Sequence, residues 1–172
     1  VSLIPDDVAK LTNSGIKVYI QNNAGINALH TNQDYLNVGA EICNSIEEIY
    51  SKANLIVKVK EPQVEEYKYI NYKHTIITFF HFANNRPLLD HMIDNEVTCY
   101  AYETIKVFNS KGVGCYPILA EMSKIAGEIS MIDAIKFMLT DNIYDYNTQI
   151  AILGVGNAGL SALNIAIESG FN

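Results

Sequence analysis

Short apolar strands alternate with amphipathic helices along most of this chain, and that alternation restricts the fold more than any other feature. The clearest strand signals are Ile16 to Ile20, Leu55 to Val59, His74 to Phe80 and Val97 to Tyr102, with helix signals between them. Such alternation is typical of a parallel sheet with helices on both faces. The sequence therefore predicts an α/β fold built on a Rossmann-like, doubly wound parallel sheet.

Capping and turn residues predict where the helices begin and end. Val1 to Ile4 is predicted as the end of a strand, and Pro5 as the start of a helix that Gly15 ends. Thr31 is predicted to cap a helix from about Asn32 to Val38. Three further helices are predicted, one from the capping box at Ser45, one from Pro62 to about Tyr69, and one from Asn85 to Asp94.

The stretch from Leu55 to Pro62 is the first place where the sequence indicates chemistry. Its continuous apolar start indicates a strand buried on both faces, and its charged residues come where that strand finishes. Ligands of open α/β sheets bind outside the carboxyl ends of the strands, which makes Lys60 a candidate ligand contact. The alternative is a strand that runs out into solvent, with Lys58 and Lys60 on one exposed face.

Two other predicted strands also finish in polar residues. His81 follows one strand, and Tyr102 and Glu103 follow the next. If the strands are parallel, an amine, an imidazole and a carboxylate emerge along one sheet edge, where they could converge on a small anionic substrate. His81 could instead be a half-buried structural residue, and Glu103 could pair with a base or cap a backbone donor.

The carboxyl-terminal part of the sequence contains a glycine pattern. A long helix from Met122 to Leu139 carries the apolar stripe Met122, Ile125, Ile129, Ile132 and Ile135. This stripe could pack inside the protein or against another subunit. A strand from Gln149 to Leu153 is then predicted to lead into Gly154, Gly156 and Gly159, and a helix from Ala158 to Ser169 to follow. This order is the context of a dinucleotide-binding turn, although a purely structural turn is the alternative.

Composition excludes several classes of function. The net charge is −7 with 12 basic residues, which disfavours a nucleic-acid or anionic-membrane surface and favours a small-molecule ligand. No membrane span or signal peptide is predicted, so we expect a cytoplasmic protein. Cys43, Cys99 and Cys115 are odd in number and far apart, which suits reduced thiols and no metal site, and Cys99 is predicted to lie in a core strand.

Several segments together resemble the alanine dehydrogenase and transhydrogenase amino-terminal family, with the alanine dehydrogenase branch the more similar. They occur in the family's order over essentially the whole chain. The segments are Val1-Ser2-Leu3-Ile4-Pro5, Ala24-Gly25, Val57-Lys58-Val59-Lys60-Glu61-Pro62, Phe80-His81-Phe82-Ala83, Ala101-Tyr102-Glu103-Thr104, Met122-Ser123-Lys124-Ile125-Ala126-Gly127 and the glycine pattern.

The resemblance implies a two-domain, NAD-dependent enzyme that interconverts L-alanine with pyruvate and ammonium. By motif match, Lys60 would hold and polarise the substrate, and His81 would be the general acid and base. A lysine ammonium favours charge developing on a carbonyl oxygen, and a histidine passes protons near neutral pH. The resemblance also implies a homo-oligomer, commonly a hexamer.

For the cofactor, the resemblance assigns Ser123, beside Met122, to the nicotinamide side of a cleft. It assigns Gly154, Gly156 and Gly159 to the pyrophosphate. The predicted domains are a substrate domain over residues 1–140, with a connecting helix at 122–139, and the beginning of an NAD-binding Rossmann domain over 141–172.

The chain also departs from the family pattern. The family has a substrate-binding arginine immediately before the segment matched by Val1, and Asp141 to Asn147 replaces a glycine- and proline-rich stretch. The excursion from Lys106 to Tyr116 is longer than usual. The ribose-binding acid would lie beyond Asn172, so we expect a piece of a longer protein that by itself does not bind NAD measurably.

Three functional alternatives remain open at this stage. The first is the alanine dehydrogenase. The second is another oxidoreductase, either like a transhydrogenase alpha subunit or like a saccharopine-type dehydrogenase. The third is a relative that keeps the fold for binding or assembly and has lost the chemistry.

Overall fold

Parallel strands form the framework of the first of two units in the computed structural model, which describes residues 1–141, 143 and 148–171. The units are Val1–Glu103 and Thr104–Asn172. Strands of the first unit are β1 (Tyr19–Gln21), β2 (Glu41–Cys43), β3 (Leu55–Val57), β4 (Thr75–Thr78) and β5 (Thr98–Ala101). Its α-helices are α1 (Pro5–Asn13), α2 (Asn32–Asn37), α3 (Ile46–Lys52) and α4 (Arg86–Asp94). Short 3-10 helices cover Ile26–Ala28, Val64–Tyr69, Phe82–Asn84 and Tyr102–Thr104, the last reaching one residue into the second unit.

All strand pairs of the first unit are parallel. β1 pairs with β2, and β3, β4 and β5 form a separate sheet in that order. Leu55 lies opposite Thr75, and Thr78 lies opposite Ala101, so the carboxyl ends of these three strands come out at one edge. The predicted α/β class and the predicted parallel pairing of the strands before and after Pro62 are both confirmed.

Two apolar clusters stabilise this unit. Tyr50, Ile56, Ile76, Phe80 and Leu88 belong to the cluster beneath β3, β4 and β5. The second cluster lies around β1 and β2 and contains Val8, Ile20, Tyr35 and Ala40. Burial at this level, roughly 1.5–3 kcal/mol for each large side chain, is the main stabilising contribution to each sheet.

Most helices of the first unit follow the predicted caps. Thr31 accepts a hydrogen bond from the Asp34 amide, and the Asp34 carboxylate accepts one from the Thr31 amide. The predicted box at Ser45 differs in one partner. The Ser45 hydroxyl accepts from Glu48, but the Glu48 carboxylate accepts the amide of Asn44 instead of that of Ser45.

Two strand predictions at the ends of the chain are wrong. Val1 to Ile4 forms no strand, and Gln149 to Leu153 forms none either. A strand exists only where a neighbouring strand accepts its hydrogen bonds, and neither segment has one among the described residues. Apolar alternation alone does not supply that neighbour.

The second unit is a hairpin followed by two helices. β6 (Val107–Phe108) and β7 (Gly114–Cys115) pair antiparallel within the stretch predicted as a surface excursion. α5 (Pro117–Thr140) begins earlier than the predicted Met122, because proline is favoured in the first helical turn. α6 (Asn157–Glu168) agrees closely with its prediction.

Of the predicted stripe, only Ile135 packs against the cluster between α5 and α6, and the other four members are exposed. Met131 is buried in a cluster with Ala166 and Phe171, whereas Ile125 and Ile129 of the stripe are exposed. The compact units divide before Thr104, earlier than the predicted domain boundary at about residue 140. The domain division itself stays a prediction.

No helix within the described ranges is long and apolar enough to cross a membrane.

Candidate active site at the carboxyl ends of three strands

The loops after β3, β4 and β5 bring four polar residues to one edge of the sheet. Lys60 and Glu61 follow β3, His81 follows β4, and Glu103 lies in the 3-10 helix that follows β5. Because the three strands are parallel neighbours, this edge is the place where an open α/β sheet binds its ligands. Lys60, His81 and Glu103 therefore follow strands that end at one sheet edge, and the roles predicted for these residues stay predictions.

His81 has an unusual backbone conformation and an accessible ring. Its φ is 52° and its ψ is 36°, in the left-handed region, which costs an L-residue about 1–2 kcal/mol. The side chain is 49% exposed and lies almost parallel to the buried ring of Phe79, with a centroid separation of 5.9 Å. Strained backbone that persists at a sheet edge is common at functional sites.

Glu61 contacts the ring of His81. Its Oε2 lies 3.4 Å from Nδ1 of His81, at the long end of the hydrogen-bonding range. Among the described residues Nε2 of His81 has no hydrogen-bond partner. A carboxylate at Nδ1 favours the tautomer that carries its proton there, and this leaves Nε2 able to accept a proton.

The electrostatics of Glu61 agree with this contact. Burial alone would raise the pKa of its carboxyl group, but a backbone hydrogen bond, the hydrogen bond with His81 and the positive charge of Lys60 together lower it below its ordinary value. Glu61 is therefore ionised at neutral pH. It directly follows Lys60 in the chain, and its carboxylate contacts the ring of His81.

Glu103 binds backbone and not a side chain. Its Oε1 accepts hydrogen bonds from the amide of His81 at 2.7 Å and from that of Phe80 at 3.1 Å. Its Oε2 lies 3.3 Å from the Phe80 amide. Of the two readings left open by the sequence, the structure shows the one in which Glu103 caps backbone donors.

The two lysines after β3 have different surroundings. Lys58 is only 25% exposed and donates to both carboxylate oxygens of Glu66, the one to Oε2 at 2.6 Å. Tyr50 donates to the same oxygen at 2.8 Å, and burial together with the Glu66 charge raises the pKa of Tyr50 far above its ordinary value. Lys60 is exposed and has no hydrogen bond or ion pair among the described residues. Lys58 is thus structural, and Lys60 is the lysine that can meet a ligand.

A cavity of about 430 Å³ lies beside β3 and borders Lys60 but not His81. Consecutive residues of two segments line it, from Ile16 to Gln21 and from Leu55 to Lys60. A cavity against one face of a strand would be lined by every second residue, because successive side chains point to opposite faces. Since consecutive residues line this cavity, it lies along the edges of the strands. We place the candidate site at the loops around His81 and not in this cavity.

The predicted cofactor residues lie in the second unit. Gly154 has a φ of 103°, and a side chain added there or at Gly156 would meet no other atom. A side chain at Gly159 would overlap the carbonyl group of Gly154. No side chain among residues 1–141, 143 and 148–171 caps α6, so its first amides are available to an anion. The turn therefore fits a pyrophosphate in shape and polarity, although no strand precedes it.

Ser123 lies on the α5 face that approaches this turn. Gly127, one helical turn further on, packs so closely against Ala158 that a β-carbon would overlap the Ala158 carbonyl. Residues four apart share a helix face, which places Ser123 on the same side as the glycine turn.

Among the described residues no group of His, Cys, Asp and Glu side chains is arranged to hold a metal ion.

Sequence reasoning missed two of these residues. Glu61 follows Lys60 directly in the sequence. The signal that could have found it is its position, because a carboxylate after one strand lies near a histidine, here His81, after the neighbouring parallel strand. Glu66 gave no comparable signal, because its burial and its contact with Lys58 depend on how the 3-10 helix Val64–Tyr69 folds back.

Comparison with known proteins identifies the family of the chain. Residues 1–126 match the family described as alanine dehydrogenase/PNT, N-terminal domain. The chain belongs to this family. Among relatives, the alanine dehydrogenase of Mycolicibacterium smegmatis is 32% identical over 99% of the chain and 47% of its own length. The alanine dehydrogenase of Mycobacterium tuberculosis is 31% identical over 96% of the chain and 46% of its own length.

Solved structures give the same result for the fold. An L-alanine dehydrogenase superposes with a TM-score of 0.78 at 29% identity, over 100% of this chain and 49% of the other. A transhydrogenase from Sinorhizobium meliloti superposes with a TM-score of 0.70 at 22% identity, over 99% of this chain and 52% of the other, which shows a shared fold. The chain spans about half the length of the curated relatives it matches.

Proposed function

We propose that the full-length protein containing this chain is an NAD-dependent alanine dehydrogenase. It would convert L-alanine, NAD⁺ and water into pyruvate, ammonium, NADH and a proton, and it would also catalyse the reverse reaction. The observation that carries the proposal is the sheet edge, where an unpaired Lys60 and a left-handed His81 with a free Nε2 flank one carboxylate, Glu61. Membership of the family supports this assignment.

Lys60 is assigned to the substrate's charged oxygen atoms. In the described structure its ammonium group has no partner, so binding a substrate carboxylate or carbonyl breaks no existing ion pair. A positive charge at a carbonyl oxygen stabilises the negative charge that develops there when the carbon is attacked. Lys60 would therefore contribute both to binding and to the reactive step.

His81 is assigned as the general base and acid. In the oxidation of alanine the amine must lose protons, and a water molecule must lose one when it attacks the imine carbon. Nε2 of His81 can accept such a proton because Glu61 occupies Nδ1. In the reverse direction the same nitrogen returns the proton.

The glycine turn before α6 is assigned to the cofactor pyrophosphate. Gly154, Gly156 and Gly159 keep the turn free of side chains, and the uncapped amides of α6 would donate to phosphate oxygens. When bound, NAD would supply the acceptor for the hydride that leaves the substrate α-carbon. Ser123 is assigned to the nicotinamide side. The homo-oligomeric assembly implied by the family resemblance is part of the proposal.

A direct assay tests this function. The purified full-length protein is mixed with L-alanine and NAD⁺, and the formation of NADH is followed by its absorbance. We expect NADH to form with alanine, and we expect NADH to be consumed when pyruvate and ammonium are supplied. Hydride transfer between NADH and an NADP⁺ analogue without alanine turnover would instead indicate a transhydrogenase, and no turnover would indicate a binding protein.

A further inference from the structure

The left-handed turn at His81 is held from the neighbouring strand. β4 and β5 are parallel neighbours, with Thr78 opposite Ala101. The chain after β5 places Glu103 so that its carboxylate reaches across to the two consecutive amides of Phe80 and His81. Two backbone donors that converge on one oxygen form a small anion-binding concavity, and here a side chain of the same chain fills it.

The contact with Glu103 supports the unfavourable backbone conformation of His81. A right-handed conformation is preferred by an L-residue at position 81, so the left-handed one requires outside support. Phe80 is fully buried and fixes one end of the turn, while the amide of Asn84 donates to the His81 carbonyl at 2.9 Å and fixes the other. The bond from the His81 amide to Glu103, at 2.7 Å, is the shortest of those made by the turn's backbone.

We propose that Glu103 is the positioning residue for His81: by accepting the Phe80 and His81 amides it keeps residue 81 left-handed and its imidazole at the sheet edge. It acts through His81 and takes no part in proton transfer itself. The inference rests on the proposed function insofar as it concerns turnover, while the backbone contact is testable without any activity.

Geometry separates this role from a chemical one. Oε1 alone reaches both amides, so a residue of the same length with one neutral oxygen can still make both bonds. Glu103→Gln keeps that oxygen and loses the charge. Glu103→Asp keeps the charge but draws the carboxylate back by one carbon–carbon bond. If positioning is the role, Gln replaces Glu better than Asp does. If the charge acts on substrate or proton, the order is reversed.

The first measurement uses the 172-residue chain and NMR spectroscopy. The three-bond amide–α-proton coupling of His81 reports its φ, and hydrogen exchange reports the bonds of the Phe80 and His81 amides. We expect wild type and Glu103→Gln to keep slow exchange at both amides, and Glu103→Asp and Glu103→Ala to lose it together with the left-handed coupling. Unchanged coupling and exchange in Glu103→Ala would overturn the proposal. Amides of β3 serve as the internal control for folding.

The second measurement uses the full-length protein and alanine oxidation. We expect Glu103→Asp and Glu103→Ala to lower kcat about 100-fold with little change in KM for alanine, because a displaced general base affects turnover more than binding. Glu103→Gln should lose less than about tenfold, as expected for one long hydrogen bond. Turnover retained by Glu103→Asp and lost by Glu103→Gln would overturn the proposal.

The two measurements also separate this proposal from the proposed function. If the NMR result is as expected and the wild-type protein does not oxidise alanine, the proposed function fails and the backbone role of Glu103 stands. If the wild-type protein oxidises alanine and the loss of the left-handed turn leaves kcat unchanged, the proposed function stands and the positioning role of Glu103 is wrong.

Discussion

Lys60 differs from Glu61, His81 and Glu103 because it makes no hydrogen bond or ion pair within the part of the chain that the structure describes. An exposed lysine with no partner is ordinary on a protein surface, but this one stands beside Glu61 at the ligand-binding edge of a parallel sheet. Its role can therefore be tested by removing the charged side chain.

Lys60→Ala should lower kcat/KM for alanine in the full-length protein by about 100-fold or more, with kcat and KM both affected, because the charge would act in both the ground and transition states. Lys73→Ala is the matched control, since Lys73 is exposed and lies at the opposite, amino end of β4. Steady-state kinetics of both variants give the answer. Equal effects of the two changes would refute the role of Lys60.

The three cysteines offer a pH-dependent test of the packing at residue level. Burial raises the pKa of the Cys99 thiol in β5 to about 11, and burial together with Glu48 raises that of Cys43. The thiolate is the reactive form, so a raised pKa confines reaction to higher pH. We expect iodoacetamide at neutral pH to modify the exposed Cys115 first.

The rate at Cys99 should then rise as the pH approaches about 11, while Cys43 reacts last because it is fully buried. Mass spectrometry of peptides after timed alkylation measures each site separately. Cys115→Ser provides the control that removes the fast site. A Cys99 that reacts as fast as Cys115 at neutral pH would show that β5 is not packed as described.

For single residues, the sequence predicts where a site residue lies in the fold better than it predicts which side chain that residue contacts. Lys60 and His81 could be located because the ends of parallel strands meet at one edge, which is a general rule of such sheets. The partner of each residue depends on loop conformation. Glu61 at the ring of His81 and Glu66 beneath Lys58 follow from how two loops fold back, and residue spacing does not encode that.

The loop that carries Lys60 is held at its base by an element, the 3-10 helix Val64–Tyr69. Glu66 in that helix is 6% exposed, and it accepts bonds from Lys58, Tyr50 and the Gln63 amide. An ion pair this buried is costly to break, because removing one partner leaves the other charge without compensation. The segment between Lys58 and Glu66, which includes Lys60, is thereby closed into a short loop.

Glu66→Ala should destabilise the first unit by about 3 kcal/mol, since it leaves the partly buried Lys58 without its counter-charge. Glu65→Ala is the control one residue away, where the side chain is exposed and the change should be within about 0.5 kcal/mol. Urea unfolding followed by circular dichroism measures both free energies of unfolding. If the Glu66→Ala chain is as stable as the Glu65→Ala chain, the contacts of Glu66 do not stabilise this loop.

Elements were predicted well where local signals suffice and poorly where a neighbour is required. α2 begins directly after the predicted cap Thr31, and α4 begins at Arg86, one residue after its predicted start at Asn85, whose side chain caps it. β2 was not predicted, since a three-residue strand has too few positions to show a period. The strand predicted before Gly154 is absent because its existence depends on another strand to pair with.

For the whole molecule, the α/β class was predicted correctly from the alternation of strands and helices, and the family from motifs spread along the chain. The match to the family over residues 1–126 and the structural match to an L-alanine dehydrogenase agree with them. The division into domains, the choice of cofactor and the assembly stay predictions, because each depends on contacts with a cofactor or with other chains that the described residues do not show.

Under the proposed function, His81 is the acid–base group of an alanine dehydrogenase site. The measurement that tests it most directly is alanine oxidation by the full-length protein carrying His81→Gln, compared with His30→Gln in the loop before α2 as the matched control. We expect His81→Gln to lower kcat at least about 100-fold with KM for alanine nearly unchanged, and His30→Gln to behave as wild type. Wild-type kcat in His81→Gln would contradict the claim.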